Sequence, residues 1–378
     1  MSFRRKTTVA DTGGDSRIMV ILFALSCLFF FFVKGVPSRK MENLEKEMIS
    51  ASKIMLGAQE VLRECRRKKG IPIDKKEDPN ETGLIGLKHS PLTTSLGQLE
   101  AKRTTTNPNF AALVVFLLHQ AGVKRQDKIA VAASGSFPAL ILAVLSASRA
   151  MGVEPMVIPS LGASQWGANH PDFHWLRMHE CLNRAGVFPW MPVALSLGGT
   201  EDMGEDMEEA VRQSLIEEIR ASRLFLIQEP DLERNVRLRM ELFEEKAGED
   251  GIKAFVNIGG SWPCMGSDPD VLKLKPGFVR IGLIPPPGRR GLIHEMASRR
   301  VPVVHLLFIR GLVRRYGLCW DPMPLPQPGE GRLYILAWKS QPLFLYAASV
   351  YLILGAVVFV LRGFRPDWRR DVWKDSSR

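Results

Sequence analysis

Two uncharged apolar stretches, one near each end of the chain, constrain its fold more than any other feature of the sequence. The stretch Leu343–Leu361 contains 19 residues without a charge, close to the roughly 20 that an α-helix needs to cross a bilayer. The stretch Ile18–Val33 is shorter, and a cation flanks it on each side. We therefore expect two transmembrane helices, at residues 18–36 and 343–361, with a large unit between them.

The first stretch could also be a secretory signal peptide, because basic residues precede its apolar core. However, the residues that follow it, Gly35–Arg39, place a proline and a cation where a cleavage site needs small side chains. This pattern favours an uncleaved membrane anchor.

The basic residues around the second stretch predict its orientation, since Lys and Arg near a span are retained on the cytoplasmic side. Six of them follow Leu361, whereas Arg332 and Lys339 precede the stretch. We therefore expect both tails to be cytoplasmic and the unit between the stretches to be extracytoplasmic. Besides the two spans, the predicted segments are a tail at residues 1–17, an amphipathic helix at 37–70, an α/β domain at 71–342 and a basic tail at 362–378.

The formal net charge of +11 is divided unevenly along the chain. The N-terminal tail holds four cations and two acids and the C-terminal tail six cations and three acids, which leaves +6 on the long unit. About half of the excess therefore belongs to membrane topology and anionic lipid. The positive electrostatic field of the remaining charge would favour an anionic ligand. We do not expect a nucleic-acid partner.

The five cysteines show no C-x-x-C spacing, which argues against a zinc ribbon or a redox pair. One of them, Cys27, lies in the first apolar stretch. An extracytoplasmic unit could form up to two disulfides from the other four, but the sequence leaves the pairing open. These four are Cys65, Cys181, Cys264 and Cys319.

Short β-like runs alternate with helical segments from about residue 107 to residue 331. This alternation is typical of a parallel sheet with helices on both faces, so we predict an α/β fold with a mostly parallel, Rossmann-like sheet. A long amphipathic helix should precede it, because apolar residues recur at helical spacing from Met41 to Cys65. The predicted strands are Lys128–Ala133, Pro155–Pro159, Pro192–Leu197, Leu224–Gln228, Ala254–Ile258 and Val301–Leu307.

Turns rich in glycine and serine follow four of the predicted strands. In doubly wound sheets, ligands bind beyond the carboxyl ends of the strands, where glycine lets the backbone approach closely and N–H groups can face an anion. Glycine and serine are also ordinary turn and N-cap residues, so it is their recurrence that predicts an anion-binding cleft. The four turns are Ser134–Pro138, Ser160–Gly167, Ser196–Gly199 and Asn257–Ser261.

The sequence contains no familiar nucleotide-binding motif. The turn after the first predicted strand lacks the G-x-x-x-x-G-K spacing of a P-loop, and no G-x-G-x-x-G follows that strand. Three clustered histidines, His170, His174 and His179, do not share one helical face and do not predict a metal site. We therefore expect neither a metal nor a cofactor.

Two polar segments supply the candidate site residues. Ser136 lies on a strand-to-helix turn, as the nucleophile of α/β-hydrolases does, but without the G-x-S-x-G pattern. It is therefore a catalytic nucleophile, a ligand-binding hydroxyl or a helix N-cap. The adjacent cations Lys102 and Arg103 precede hydroxyl residues and an apolar helix, and would suit a carboxylate or phosphate, although a solvated loop before a capped helix would have the same pattern. The candidate ligand-binding residues are Lys102, Arg103, Thr104, Asn107, Ser134, Ser136, Ser164, Gln165, Asn169 and Asn257.

A series of short motifs runs through the predicted domain, namely Asp78–Gly86, Thr93–Gly97, Lys102–Thr104, Asn107–Ala112, Ser134–Pro138, Ser160–Asn169 and Asn257–Gly260. Their order resembles the poly-gamma-glutamate system protein family of bacterial membrane proteins, which are encoded with a poly-gamma-glutamate synthase and its capsule-type partners. The resemblance covers about residues 48–331 and excludes the basic C-terminal tail. The resemblance indicates the pathway in which the protein acts, but it identifies no catalytic residues.

The resemblance implies a protein of the bacterial cytoplasmic (inner) membrane that acts in the synthesis, export or processing of this cell-envelope polymer. Its implied partners are the lipid bilayer, the polyanion or its glutamyl precursors, and the membrane components of the synthase. Two alternatives stay open. One is an extracytoplasmic hydrolase or transferase acting on gamma-glutamyl bonds, with Ser136 or a threonine of Thr104–Thr106 as nucleophile, and the other is a structural partner of the synthase complex.

Overall fold

The computed structural model describes residues 22–29, 39–339 and 342–363. The chain divides into a small unit, formed by Met1–Glu42 with Ala337–Arg378, and a large unit, Asn43–Leu336. The predicted N-terminal tail, most of the predicted first transmembrane helix and all but the start of the predicted C-terminal tail lie outside the described residues.

The large unit contains most of the regular structure. The described helices are α1 (residues 22–29), α2 (Arg39–Lys68), α3 (Leu99–Thr105), α4 (Asn109–Gln120), α5 (Pro138–Met151), α6 (Trp175–Arg184), α7 (Glu209–Ala221), α8 (Leu232–Ala247), α9 (Trp262–Met265), α10 (Leu292–Ser298), α11 (Ile309–Tyr316), α12 (Arg332–Lys339) and α13 (Pro342–Gly363). The strands are β1 (Thr93–Ser95), β2 (Lys128–Ser134), β3 (Glu154–Ser160), β4 (Ala163–Ser164), β5 (Leu195–Ser196), β6 (Leu226–Ile227), β7 (Ala254–Ile258), β8 (Gly277–Val279) and β9 (Val303–Leu306).

A seven-stranded sheet with the order β6-β5-β3-β2-β7-β9-β8 forms the centre of the large unit. Neighbouring strands run parallel, except that β8 pairs antiparallel with β9 at one edge. The predicted α/β fold with a mostly parallel sheet is therefore confirmed. A separate parallel pair joins β1 to β4.

Helices cover both faces of this sheet. Ala130 and Ala132 of β2 belong to a core that includes side chains of α8, α9 and α10. Ile129 and Val131 project to the opposite face, because side chains alternate along a strand, and both are also buried. α5, which connects β2 to β3 and contacts β3, packs against α4 and covers that second face.

The strand order creates a switch point between β2 and β7. From β2 the chain builds outwards through β3, β5 and β6, then returns to the other side of β2 and builds outwards again through β7 and β9. In doubly wound sheets, such a reversal opens a crevice beyond the carboxyl ends of the strands. The topology therefore places a crevice where the turns after β2 and β7 meet.

α2 packs along the large unit through the apolar stripe predicted from its sequence. Met48, Met55 and Leu62 are fully buried, and the helix ends just before Gly70, which adopts a left-handed φ of +69°. Near its end, Cys65 forms a disulfide with Cys181 of α6. Cys264 is buried and free, and Cys319 is exposed and free.

The small unit contains α1 and α13, which contact each other. Ser26 Oγ lies 2.6 Å from Tyr351 OH, and the ring of Tyr351 stacks on that of Phe29. α13 contains all of the second predicted span. Among the residues that the structure describes, no helix is both long and apolar enough to cross a membrane. The two transmembrane helices therefore stay predictions from the sequence.

Candidate functional site

A cleft of about 1220 Å³ opens at the carboxyl ends of β2, β3, β5 and β7. Residues from all four glycine- and serine-rich turns contribute to its wall, and further wall residues come from β1, from α3 and from the segment that begins α11. The small turn residues in the wall include Ser134, Ser136, Ser160, Gly162, Gly199 and Gly260. The structure therefore brings the four turns together at one cavity.

Packing and backbone conformation explain two of the turn glycines. A Cβ on Gly162 would lie 2.7 Å from the carbonyl oxygen of Leu197, so a larger residue would separate the turns after β3 and β5. Gly198 adopts a φ of +76°, a conformation that costs an L side chain energy. These two glycines are required by the local fold, whether or not a ligand binds.

Lys102 is the charged residue at the floor of the cleft. α3 directs its side chain inwards, and Lys102 is only 3% exposed. Its Nζ donates a hydrogen bond of 2.7 Å to Ser164 Oγ and another to the carbonyl oxygen of Ser136, and lies 3.8 Å from the centroid of the Phe137 ring. Within the described chain no carboxylate pairs with it, and burial lowers the pKa of Lys102 to about 7.

A serine network holds this lysine in place. Ser134 Oγ donates to Ser136 Oγ over 2.9 Å, and the backbone N–H of Ser164 donates to the same Ser136 oxygen over 2.9 Å. The turn after β2 is thereby joined to β4, which carries Ser164. Ser136 is thus the residue that connects both serines and, through its carbonyl oxygen, Lys102.

A second cation, Arg310, lies in the cleft wall at the start of α11. Its guanidinium carbon is 4.5 Å from the centroid of the Trp320 ring, in cation–π geometry. It is exposed and makes no ion pair with any described residue. Next to it, Phe308 is 63% exposed and adopts a left-handed φ of +60°, a conformation that is unusual for a bulky residue.

The two acidic residues of the cleft wall already have hydrogen-bond or ion-pair partners nearby. Asp206 accepts hydrogen bonds from the backbone N–H and the hydroxyl of Thr200, at 2.6 and 3.0 Å. Asp268 accepts the backbone N–H of Asp270 and lies 3.5 Å from Arg289. Among the residues that the structure describes, the two cations that line the cleft therefore lack carboxylate partners, whereas its two acids have donors.

Arg103 points away from the cleft, although it follows Lys102 directly. Its guanidinium forms two hydrogen bonds with the carboxylate of Asp321, at 2.8 and 2.5 Å. The hydroxyl of Thr104 donates to the carbonyl oxygen of Glu100, and those of the next two threonines donate to helix carbonyls in the same way. The threonines Thr104–Thr106 are buried and none lines the cleft.

Three further candidate residues support the backbone around the cleft. Asn107 Oδ1 accepts the N–H of Asn109 at the start of α4. Asn169 exchanges two hydrogen bonds of 2.8 Å with the backbone of Leu87. Gln165 Oε1 accepts the N–H of Gly97 at 3.2 Å. None of the three lines the cleft, so the structure gives them a positioning role.

Asn257 lies buried at the end of β7, also outside the cleft wall. Its amide donates to the carbonyl oxygen of Gly259 over 2.8 Å and lies 3.0 Å from Nδ1 of His305. Burial lowers the pKa of His305 to about 4, so this imidazole is neutral at pH 7. The pair therefore fixes the turn after β7 and contributes no charge to the cleft.

The motif Asp78–Gly86 packs against the end of α2. The carboxylate of Asp78 accepts hydrogen bonds from the hydroxyl of Thr82 and from the N–H of Gly83. Arg66 of α2 donates to the carbonyl oxygens of Gly83 and Ile85. The segment is a structural turn outside the cleft. The motifs that carry the resemblance therefore include both residues that line the cleft and residues that stabilise the fold.

Sequence reasoning missed two features of the site. It named Lys102 and Ser164 separately, and no local pattern pairs residues that are 62 positions apart. It also missed Arg310 and Trp320, although a cation shortly after the predicted strand Val301–Leu307 is the signal that could have indicated the first of them.

Neither a metal site nor a known relative identifies the chemistry of the cleft. In the part of the chain that the structure describes, no group of three or more His, Cys, Asp or Glu side chains could hold a metal ion. Comparisons of the chain with protein-family models, with curated proteins and with solved structures find no match. The proposed function therefore rests on the geometry of the cleft and on the resemblance of the motif series.

Proposed function

We propose that the protein is an accessory membrane component of a poly-gamma-glutamate system, and that its cleft binds the polyanion or its glutamyl precursors. The observation that carries the proposal is that Lys102 and Arg310 line the cleft without a carboxylate partner among the described residues. A ligand rich in carboxylates would supply those partners. The pathway rests on the resemblance of the motif series to the poly-gamma-glutamate system protein family.

The size of the cleft supports a chain-like ligand. Its volume of about 1220 Å³ exceeds the roughly 300–1,000 Å³ of typical small-molecule sites. Serine and threonine hydroxyls in its wall, which also contains apolar side chains such as Trp262 and Leu272, can hydrogen-bond to the amides of a repeating chain. A polymer segment with several carboxylates could therefore reach Arg310 at the wall and Lys102 at the floor.

The two cations would contribute differently to binding. Arg310 is exposed, so its attraction for an anion is screened over about 8 Å at physiological salt. Lys102 is buried, where screening is weaker and a charge-assisted hydrogen bond contributes roughly 1.5–3 kcal/mol. Affinity for a polycarboxylate should therefore fall as salt rises, with a residual component that depends on Lys102.

Membrane attachment and an extracytoplasmic location belong to the same proposal. Phe23 and Leu28 of α1 and Leu352 and Ile353 of α13 are exposed, and lipid chains would cover such apolar side chains. The disulfide between Cys65 and α6 is typical of proteins in oxidising compartments. Both observations support a large unit held outside the cytoplasm by the two apolar stretches.

Titration of the purified full chain in detergent with poly-gamma-glutamate of defined length tests the proposal. We expect saturable binding that weakens as salt is raised from low to physiological concentration. Lys102→Met should weaken binding about tenfold to a hundredfold, because it removes one buried charge-assisted hydrogen bond. Arg310→Gln should weaken binding less and should reduce the salt dependence, because its charge is exposed.

The matched control is Lys68→Met, which removes an exposed lysine of α2 that does not line the cleft. This variant should bind as the wild type does. Absence of binding at low salt would contradict the proposal and favour a structural partner of the synthase. Equal losses in Lys68→Met and Lys102→Met would place the binding site outside the cleft.

A further inference from the structure

We propose that Ser164 and Lys102 form a nucleophile–base pair for acyl transfer at the floor of the cleft. The substrate class would be a chain that presents an amide or ester carbonyl to Ser164. This activity goes beyond binding, and it does not depend on which polymer the cleft accepts.

The geometry of the two side chains carries the inference. Lys102 Nζ and Ser164 Oγ are 2.7 Å apart, within the range that a nucleophile and its base require. Both line the cleft. The amine is fixed on its other sides by the carbonyl oxygen of Ser136 and by the ring of Phe137, so its direction towards Ser164 is imposed by the fold.

The surroundings of Lys102 also suit a base. A lysine can accept a proton only when its amine is neutral, and desolvation is what produces the neutral form near pH 7. Lys102 is buried, and among described residues no carboxylate compensates its charge. Its pKa is lowered accordingly to about 7. A substantial fraction of the molecules would therefore hold a neutral amine beside the serine at physiological pH.

Ser136 has a different place in this arrangement. Its Oγ accepts from Ser134 Oγ and from the N–H of Ser164, and the contact of Lys102 with Ser136 is to the carbonyl oxygen and not to the hydroxyl. The lysine is thus paired with Ser164 and not with Ser136, the serine that the sequence analysis named as one candidate nucleophile. In the described structure the hydroxyl hydrogen of Ser136 has no acceptor, so it is available to a substrate oxygen.

The reaction follows from these positions. Ser164 Oγ forms a bond to the carbonyl carbon while its proton passes to Lys102 Nζ and the π electrons of the carbonyl move onto its oxygen. When the carbonyl re-forms, the bond to the leaving nitrogen or oxygen breaks, and the leaving group takes the proton from Lys102. An ester on Ser164 remains. Water, or an acceptor amine, then attacks this ester with Lys102 again taking the proton, and the released Ser164 oxygen recovers it.

A fluorophosphonate reagent tests the pair without knowledge of the substrate, because it reacts with activated serines. We expect an adduct on Ser164 of the purified full chain, located by mass spectrometry of peptides. The labelling rate should rise between pH 6 and pH 8 as Lys102 loses its proton. Lys102→Met should lower the rate at least about a hundredfold, the usual contribution of a general base.

Two controls keep the test decisive. Lys102→Arg keeps a cation but cannot act as a base, so it should lose labelling as Lys102→Met does. Ser164→Ala removes the proposed nucleophile, so it should not be labelled at this position, and its unfolding temperature shows whether the fold persists. An adduct on Ser136, no adduct on any serine, or an unchanged rate in a folded Lys102→Met variant would overturn the inference.

The outcome is distinguishable from that of the binding proposal. Polymer binding without a Ser164 adduct would leave the proposed function in place and remove the acyl-transfer pair. A Ser164 adduct without polymer binding would establish the pair and remove poly-gamma-glutamate as the ligand.

Discussion

Lys102 is buried in surroundings that do not stabilise a charge well. Taking an ammonium out of water is costly unless a carboxylate compensates it, and its neighbours are two oxygens from serines and an aromatic ring. Buried ionisable groups of this kind cluster at functional sites, because the fold tolerates their cost where chemistry or binding needs them. The residue is therefore the most informative one in the cleft.

The lowered pKa of Lys102 predicts how stability depends on pH. In the unfolded chain a lysine has a pKa of about 10.4, whereas in the folded chain Lys102 has a pKa of about 7. Between these values the unfolded state binds more protons, so the free energy of unfolding should rise with pH, by up to about 1.4 kcal/mol per pH unit. In Lys102→Met, the free energy of unfolding should not show this rise with pH.

Chemical unfolding of the full chain between pH 7 and pH 9 measures the effect. Other groups that titrate in this window contribute equally to the wild type and to Lys102→Met. The difference between the two proteins in the slope of unfolding free energy against pH is therefore due to Lys102. Lys68→Met, which alters an exposed lysine, should keep the slope of the wild type. Equal slopes in the wild type and in Lys102→Met would contradict the assigned environment.

The neighbouring Arg103 shows the limit of sequence reasoning at the scale of one residue. The sequence predicts that both cations face a ligand, since they are adjacent. Successive residues of a helix point about 100° apart, and the structure directs Arg103 to Asp321, 218 positions later. The sequence alone could identify the residue types of a binding site but not the direction in which α3 would turn each of them.

At the scale of elements, the strands that the sequence predicts best are those buried on both faces. β2, β3, β7 and β9 are apolar runs, and their positions follow from composition and flanking turns. The strands β1, β4 and β8 have two or three residues each. The sequence analysis predicted none of these three strands, which owe their pairing to tertiary contacts, although it did predict β5 and β6, which have two residues each.

The disulfide joins two elements whose connection the sequence left open. Cys65 of α2 and Cys181 of α6 are 116 residues apart, and a crosslink that closes a long loop stabilises a fold by about 2–5 kcal/mol. Cys65→Ala should therefore lower the unfolding temperature by several degrees. Cys319→Ala, which removes an exposed free thiol, should leave it unchanged.

Thermal unfolding with and without a reducing agent completes this test. Reductant should lower the unfolding temperature of the wild type to near that of Cys65→Ala, and should leave Cys65→Ala itself unaffected. If reductant shifts both proteins equally, the crosslink does not stabilise the large unit.

For the whole molecule, the sequence predicts the alternation of strands and helices but not the order of strands in the sheet. The convergence of the four turns depends on that order, because the switch point between β2 and β7 brings the early turns next to the late one. The alternation was enough to predict a crevice in general terms. It could not predict that Arg310 and Trp320 would complete the wall.

The native Cys319 offers a test of the proposed membrane topology. Its thiol is exposed and free, so a membrane-impermeant maleimide added to intact cells should label it if the large unit is outside the cytoplasm. Cys319→Ser should abolish the labelling, since Cys264 is buried and Cys27 lies in the first apolar stretch, which is predicted to be inside the membrane. Labelling of Cys319 only after the cells are permeabilised would place the large unit in the cytoplasm.

The affinity of the full chain for poly-gamma-glutamate at pH 6 and at pH 9 tests the central claim most directly. The polymer carboxylates are ionised at both pH values, whereas Lys102 loses its charge above a pKa of about 7. The account predicts that binding weakens at pH 9, by up to about a hundredfold if the neutral amine does not bind, and that Lys102→Met shows no such loss. An affinity that is equal at the two pH values, or an equal loss in both proteins, would contradict it.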